Sequence, residues 1–207
     1  HERCIELVVR TADGRIPVIA GAGSNNTEES VRLMRFAARV GADAALVVTP
    51  YYNKPSQGGL HRHFSAVADA SSKPICLYNV PGRTAVNLQP GVTLQLAEHP
   101  NVMGIKEASG DMAQVRAIVE GAPAGFRVWS GDDSATLNVL EQGGAHRIAQ
   151  SHSGQQLAHF PVEKGIQGGQ DSQHEIAWCR SGFVACPKQL AEARPCHRDT
   201  GEFARFA

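Results

Sequence analysis

The chain has 207 residues, with 20 Lys and Arg against 20 Asp and Glu and a formal net charge of zero at pH 7. This length allows one domain with a sizeable buried core, and the neutral balance argues against a protein that binds nucleic acid or an anionic membrane through basic charge. No apolar run approaches the roughly 20 residues that span a bilayer, so we do not expect an integral membrane protein.

The predicted elements alternate between helices and short apolar strands. In chain order they are a helix over 2–10, a strand over 17–20, a helix over 28–40, a strand over 44–49, a helix over 58–70, a strand over 74–78, a helix over 89–98, a strand over 102–106, a helix over 111–120 and a strand over 127–130. The helix over 28–40 is the clearest, since Asn26 or Thr27 caps its start and Gly41 follows its end. Strands that are apolar on both faces and joined by helices form a parallel sheet, either doubly wound or closed as a barrel.

The composition changes after residue 145. Residues 1–145 contain 32 Ile, Leu and Val, whereas residues 146–207 contain 7. Residues 146–207 therefore have too few aliphatic side chains to cover a sheet or to build long amphipathic helices. We therefore predict an ordered domain over 1–145 and an aberrant, poorly ordered tail over 146–207.

The cysteines indicate the compartment. Five cysteines lie at wide spacing, and an odd, scattered set favours reduced thiols over a disulfide framework. The first residues carry charges where the apolar core of a signal peptide would lie. We therefore expect a cytoplasmic protein. The cysteine spacing also lacks the paired pattern of structural zinc sites, so no metal is expected.

Polar residues stand at the carboxyl ends of the predicted strands, in the segments 49–52, 78–84, 106–110 and 130–133. In a (β/α)8 barrel these ends converge on one mouth, where the chemistry takes place. Lys106 ends an apolar strand, and burial there favours the neutral amine that attacks a carbonyl to form a Schiff base. The alternative is that Lys106 forms an ion pair with a neighbouring acid such as Glu107.

Five segments, in this order, resemble motifs of the dihydrodipicolinate synthase family: 14–21 (GRIPVIAG), 48–55 (VTPYYNKP), 77–84 (LYNVPGRT), 104–108 (GIKEA) and 130–133 (SGDD). The resemblance covers residues 1–145 and implies an α/β fold, a (β/α)8 TIM barrel. It further implies a lyase, a Schiff-base aldolase that condenses pyruvate with L-aspartate 4-semialdehyde to form 4-hydroxy-tetrahydrodipicolinate in lysine and diaminopimelate biosynthesis. The family needs no metal or organic cofactor, because the lysine itself is the electron sink.

The resemblance implies the catalytic residues. Lys106 looks like the amine that condenses with pyruvate, and Tyr78 resembles the phenol that transfers protons at imine formation and at the aldol step. Tyr52 resembles the second tyrosine of a proton relay, which in the family reaches into the neighbouring subunit. The family is therefore expected to be a homo-oligomer, a dimer or a tetramer. Without the resemblance, aromatic packing at a subunit contact explains Tyr51 and Tyr52 better than a role as proton carriers.

Three further positions match substrate-binding residues of the family. Arg83 matches the arginine that binds a substrate carboxylate at the site entrance, a role that suits a planar donor fork. Gly131 matches a residue whose backbone lines the pocket, and Ile148 falls at a further substrate contact. The alternative for Arg83 is a solvated charge in a turn.

Four residues near the start match inhibitory lysine-binding positions of feedback-regulated family members: His1, Asn25, Glu29 and Tyr51. A carboxylate could bind the ligand's ammonium group, and side-chain donors could bind its carboxylate. The alternative is structural, because Asn and Glu are common at the start of a helix.

Two departures from the family pattern are expected to matter. The sequence opens in what corresponds to the second helix, so the first two strands and the relay threonine are expected to be absent and the barrel to be incomplete. From His146 onward the eighth strand is doubtful, which a shifted reading frame or an alternative tail would explain. Two other hypotheses therefore stay open: a related pyruvate-dependent aldolase, such as N-acetylneuraminate lyase or a 2-keto-3-deoxy-sugar-acid aldolase, and an inactive truncated remnant.

Overall fold

The computed structural model describes residues 1–145 and, beyond them, the backbone of three strands at 148–150, 174–179 and 182–187. In chain order the elements are α1 (Glu2–Ala12), β1 (Val18–Gly21), α2 (Thr27–Arg39), β2 (Ala44–Val48), α3 (Gln57–Asp69), β3 (Ile75–Asn79), α4 (Pro81–Thr84), α5 (Pro90–Ala97), β4 (Val102–Glu107), α6 (Met112–Gly121), β5 (Arg127–Ser130), α7 (Thr136–Glu141), β6 (Ile148–Gln150), β7 (His174–Cys179) and β8 (Gly182–Pro187).

The predicted helices and strands are confirmed, each with bounds within two residues. Local signals account for this agreement. The side chain of Asn26 caps α2 by accepting a hydrogen bond from Glu29 N at 3.0 Å, and Asp111 caps α6 through two backbone N–H groups. Helices α4 and α7 were not predicted, because four and six residues are too short to show a helical period.

Strands β1 to β5 pair in parallel and lie side by side in chain order. A doubly wound sheet reverses direction from its first strand, whereas sequential order is that of a (β/α)8 barrel. The predicted α/β barrel class is therefore confirmed, with five parallel strands of it in residues 1–145. At the other edge of β1 the sheet continues through β8, β7 and β6, with β8 antiparallel to both β1 and β7.

The sheet packs apolar side chains on both faces. Between the sheet and the helices lies the larger core, which includes Leu33, Met34, Leu60, Phe64, Leu77, Ile105 and Ile118. The opposite face carries a smaller cluster made of Ile19, Ala44, Leu46, Cys76 and Trp129. Because successive strand residues point to opposite faces, Tyr78 follows Cys76 by two residues on the face of the smaller cluster. Its register partner Lys106 lies on the same face.

Part of the predicted aberrant tail forms strands. Strands β6, β7 and β8 lie within 146–207 and join the sheet. Backbone ladders do not require aliphatic side chains, so the low aliphatic content did not exclude strands there. The remaining tail residues lie outside the described part of the chain, and the division into a partial barrel domain and an aberrant tail stays a prediction. In the part of the chain that the structure describes, no helix has the length and apolar character needed to cross a membrane.

Candidate active site

Tyr78 and Lys106 are neighbours across two adjacent strands. The register of β3 and β4 makes them direct partners, and Lys106 Nζ lies 4.7 Å from the centre of the Tyr78 ring. The structure thus brings together two of the three predicted catalytic residues, and their catalytic roles stay a prediction. The parallel register of β3 and β4 causes this proximity, because it aligns the last inward-facing side chain of each strand.

Burial changes the proton affinity of Lys106. The side chain is only 1 % exposed, and burial lowers the pKa of its amine from 10.5 to about 8, while Cys76 and Asp133 oppose this shift. At pH 7 about one molecule in ten then holds the neutral amine, against about one in three thousand for an ordinary lysine. The site thus supplies the nucleophilic form of the amine near neutral pH.

Glu107 does not lie on the same face as Lys106. Its carboxylate accepts hydrogen bonds from the side chains of Asn79 and Gln114 and from Ser109 N. Adjacent residues of a strand point to opposite faces, so this carboxylate faces the helices while the amine faces the pocket side. The geometry argues against the alternative in which Glu107 is the ion-pair partner of Lys106.

The Tyr78 phenol is held in its protonated form. Burial raises the pKa of its hydroxyl, Arg83 lowers that pKa and Asp132 raises it. A protonated phenol can donate a proton at neutral pH, and the Arg83 guanidinium favours the phenolate form.

Arg83 and Tyr78 line the same pocket. It is open to solvent, with a volume of about 270 Å³, and its lining also includes His1, Tyr51 and Thr84. Arg83 belongs to the single turn α4, which Pro81 opens at a position where its fixed φ favours a helix start. The Thr84 hydroxyl donates to the carbonyl of Val86 at 3.0 Å. These contacts hold the turn that carries Arg83 at the pocket.

Gly131 lies directly against Lys106. Its N–H donates to the carbonyl of Glu107 at 2.7 Å. A Cβ at this position would lie 2.7 Å from Ala108 Cβ and 3.2 Å from Lys106 Cε. Only a residue without a side chain leaves this space open beside the amine. A substrate contact at Gly131 stays a prediction.

Tyr52 is exposed to solvent, in contrast to the other two predicted catalytic residues. Its side chain is 87 % exposed, and its backbone has a left-handed φ of 70°, a conformation that is uncommon for residues other than glycine. Tyr51, which lines the pocket, is half-exposed. Ile148 falls in β6, and its side chain lies outside the described residues.

The predicted regulatory residues are only partly brought together. His1 and Tyr51 line the pocket, and His1 Nε2 donates to the carbonyl of Gly21 at 2.6 Å. The carbonyl of Asn25 accepts a bond from Asn53, in the loop that carries Tyr51.

Glu29 lies in the first turn of α2 and accepts a hydrogen bond from the hydroxyl of Ser24. That carboxylate already has a partner, and the helix is capped by Asn26 rather than Asn25. The structural explanation for Glu29 is thereby strengthened, and lysine binding stays a prediction.

The group of amides around Glu107 was not predicted from the sequence. Asn79, Asn87 and Gln114 meet this carboxylate or each other behind the pocket. The available signal was a polar residue at the last outward-facing position of β3 and of β4, where apolar side chains were expected.

Comparisons with known proteins agree on one family. The sequence model of the dihydrodipicolinate synthetase family matches residues 1–165. A 4-hydroxy-tetrahydrodipicolinate synthase of Methanoculleus marisnigri is 57% identical over 150 residues, which is 72% of this chain and 51% of the relative. The chain therefore spans about half the length of the curated relatives it matches.

Solved structures give the same result. The crystal structure of dihydrodipicolinate synthase from Aquifex aeolicus matches with a TM-score of 0.71 and 46% identity, over 72% of this chain and 51% of that one. The lysine-bound enzyme of Cyanidioschyzon merolae matches with a TM-score of 0.61 and 44% identity, over 62% of this chain and 44% of that one.

Proposed function

Because the chain belongs to the dihydrodipicolinate synthetase family, we propose that it carries the Schiff-base lysine of a synthase that condenses pyruvate with L-aspartate 4-semialdehyde. The product is 4-hydroxy-tetrahydrodipicolinate, a precursor in lysine and diaminopimelate biosynthesis. The observation that carries the proposal is the buried Lys106 amine, with its pKa lowered to about 8, against the Tyr78 ring.

The first half-reaction forms the imine. The neutral Lys106 amine attacks the keto carbon of pyruvate, and the resulting carbinolamine loses water to give the iminium ion. Tyr78 donates the proton that makes the departing hydroxyl a water molecule. The Tyr78 phenolate then takes a proton from the methyl group, so that Tyr78 is protonated again. The electron pair of that C–H bond forms the carbon–carbon double bond of the enamine, and the π pair of the iminium bond moves to the nitrogen. This chemistry requires no metal or organic cofactor.

The second half-reaction joins the two substrates. The enamine carbon attacks the aldehyde carbon, and Tyr78 supplies the proton to the new alkoxide. Arg83 binds the carboxylate of the aldehyde substrate, since a guanidinium pairs with a carboxylate through two parallel hydrogen bonds. Attack by the substrate's amino group on the imine carbon closes the ring and releases Lys106.

The proposal is tested by trapping the imine. Reduction with borohydride in the presence of pyruvate is expected to add a reduced pyruvyl group to the peptide that contains Lys106, as detected by mass spectrometry. Lys106→Ala should abolish the adduct, and Lys73→Ala, at a lysine just before β3, should leave it intact. Folded chain that gives no adduct at Lys106 would favour the inactive-remnant hypothesis.

The aldehyde substrate separates the synthase from its sister enzymes. The named relatives support the synthase, and Arg83 in the pocket supports an aldehyde that bears a carboxylate. We expect aspartate semialdehyde to consume the pyruvate enamine, and N-acetylmannosamine and glyceraldehyde to leave it unchanged. The reverse preference would support a sugar-acid aldolase instead.

The same proposal includes assembly, location and regulation. The exposed Tyr52 supports a homo-oligomer, a dimer or tetramer, in which this side chain reaches a neighbouring site. Among the described residues, Cys4 and Cys76 are free thiols, which supports a cytoplasmic location. A lysine-bound relative, together with His1 and Tyr51 in the pocket, supports lysine as a feedback inhibitor. No nucleic-acid or membrane partner is proposed.

A further inference from the structure

A buried group of polar side chains lies behind the proposed active site, on the helix-facing side of the sheet. It consists of Glu107 with Asn79, Asn87 and Gln114, and we call it the carboxylate–amide cluster. Glu107, Asn79 and Gln114 are 3 %, 0 % and 6 % exposed. None of the four takes part in the chemistry proposed above. A buried carboxylate is costly to retain unless its oxygens are well hydrogen-bonded.

The oxygens of Glu107 are satisfied by three neighbours. Asn79 Nδ2 lies 3.1 Å from both oxygens, Gln114 Nε2 donates to Oε2 at 3.1 Å, and Ser109 N donates to Oε1 at 2.7 Å. In each contact Glu107 is the acceptor. One side chain thereby joins the end of β3, the end of β4, the following loop and the first turn of α6.

The backbone of Leu88 fixes which way the two amides face. Leu88 N donates to Asn79 Oδ1 at 2.9 Å, and the carbonyl of Leu88 accepts from Gln114 Nε2 at 3.3 Å. Rotating either amide by half a turn would set donor against donor or acceptor against acceptor. Both amino groups must therefore face residue 107, which suits a side chain with acceptors on both atoms.

The cluster is bonded to the strand positions directly after the reacting pair. Asn79 follows Tyr78, Glu107 follows Lys106, and Asn79 and Glu107 are themselves partners in the register of β3 and β4. The hydrogen bonds between the Asn79 and Glu107 side chains therefore link the last paired residues of β3 and β4. Bonds to Leu88 extend the same network to the segment after α4, the turn that carries Arg83.

We propose that Glu107 is a positioning residue that holds Lys106 and Tyr78 in reacting alignment from the opposite face of the sheet. This inference rests on the proposed Schiff-base function. Glu107 touches neither substrate, and it acts through the two strand ends. A misplacement of about 1 Å at reacting groups can cost up to about 100-fold in rate. Weaker bonding between the ends of β3 and β4 should therefore lower the rate of each folded molecule.

The first test compares Glu107→Gln with Asn101→Ala. The glutamine keeps the shape but places an amino group against those of Asn79 or Gln114. Asn101 serves as the matched control, because it donates two hydrogen bonds, to Ala68 and Ser71, at the other end of β4. The measurement is the rate of pyruvate imine formation by borohydride trapping, divided by the folded fraction from circular dichroism.

We expect Glu107→Gln to form the imine about 10-fold more slowly per folded molecule and Asn101→Ala to match the unmodified chain. A purely structural role for Glu107 would lower the folded fraction but leave this corrected rate unchanged. Equal corrected rates for all three chains would therefore overturn the inference.

A second readout does not depend on pyruvate. The pH dependence of acetylation of Lys106, followed by peptide mass spectrometry, reports the amine itself. Its charged and titratable neighbours are Tyr78 and Cys76 of β3 and Asp133 after β5, and Glu107→Gln alters none of them. A loosened strand end hydrates the ammonium form, so the midpoint is expected to rise from about 8 toward 10.5. Asn101→Ala should leave it in place.

The two readouts separate the two proposals. If the unmodified chain forms no imine but the Lys106 midpoint shifts in Glu107→Gln, the proposed function fails, and with it the catalytic meaning of the alignment, while the structural part of the inference, that Glu107 holds the strand end of Lys106, is supported. If the imine forms and neither rate nor midpoint changes, the positioning role fails alone. Should Glu107→Gln not fold, Gln114→Leu removes one donor while Asn79 and Ser109 remain, and a smaller shift in the same direction is expected. An unchanged midpoint there would likewise overturn the inference.

Discussion

Replacing Lys106 by methionine should stabilise the chain at neutral pH while abolishing imine formation. Burial lowers the pKa of this amine from 10.5 to about 8, and each pKa unit corresponds to about 1.4 kcal/mol, so the ionised amine costs the fold about 3 kcal/mol at pH 7. Methionine fills a similar volume without a charge. The substitution also removes the contact of the ammonium with the Tyr78 ring, and this loss offsets about 1 kcal/mol of the stability gained. The expected net gain is about 2 kcal/mol.

The gain should depend on pH with a defined sign. The pKa of Lys106 is lower in the folded chain than in the unfolded chain, so the unfolded chain binds more protons between pH 8 and 10.5. The cost is fully present below pH 8 and disappears as the pH rises toward 10.5. Lys106→Met should therefore exceed the unmodified chain in stability at pH 7 and lose this advantage near pH 10.5.

The assay is urea unfolding followed by circular dichroism at several pH values, with Lys73→Met as the control. The free energies of unfolding are compared as differences between variants at each pH. The contribution from titration of Cys76 and Tyr78, which all three chains share, then cancels. The control should show no pH-dependent gain. A Lys106→Met chain that is less stable than the unmodified chain at pH 7, or whose gain is the same at every pH, would refute the assignment of a desolvated amine to Lys106.

Three further predictions concern activity. The rate of imine formation should rise about tenfold for each pH unit below 8 and level off above it, because only the neutral Lys106 amine reacts and its pKa is about 8; a rate that keeps rising to pH 10 would contradict this. Gly131→Ala should slow imine formation about 10-fold or more, because its Cβ would lie 3.2 Å from Lys106 Cε. The control Gly91→Ala should react normally, because a Cβ there meets nothing within 4 Å. Arg83→Ala should raise the KM for aspartate semialdehyde about 10-fold or more while leaving pyruvate trapping in place, since a charged hydrogen bond contributes about 1.5–3 kcal/mol; an unchanged KM would remove Arg83 from aldehyde binding.

The sequence alone determined the order of elements and made Lys106 a candidate for the reacting amine, while Tyr78 was named through the family resemblance. Apolar runs, the cap at Asn26 and the polar strand ends are local signals, so they act within a few residues and can be interpreted before any contact is known. Lys106 was identifiable for the same reason, because an ionisable residue at the end of an apolar strand is unusual. The helices α4 and α7 were missed because a helical period needs more residues than they contain.

Only the tertiary structure decided how these groups act. The register of β3 and β4 sets Lys106 against Tyr78, and burial by several elements lowers the pKa of the amine. Chain adjacency made Glu107 a candidate partner of Lys106, but the pleat of the strand sends the two side chains to opposite faces. There Glu107 meets Asn79, which is 28 positions away in sequence. Desolvation and hydrogen-bond geometry depend on residues that are distant in sequence, and no local pattern specifies them.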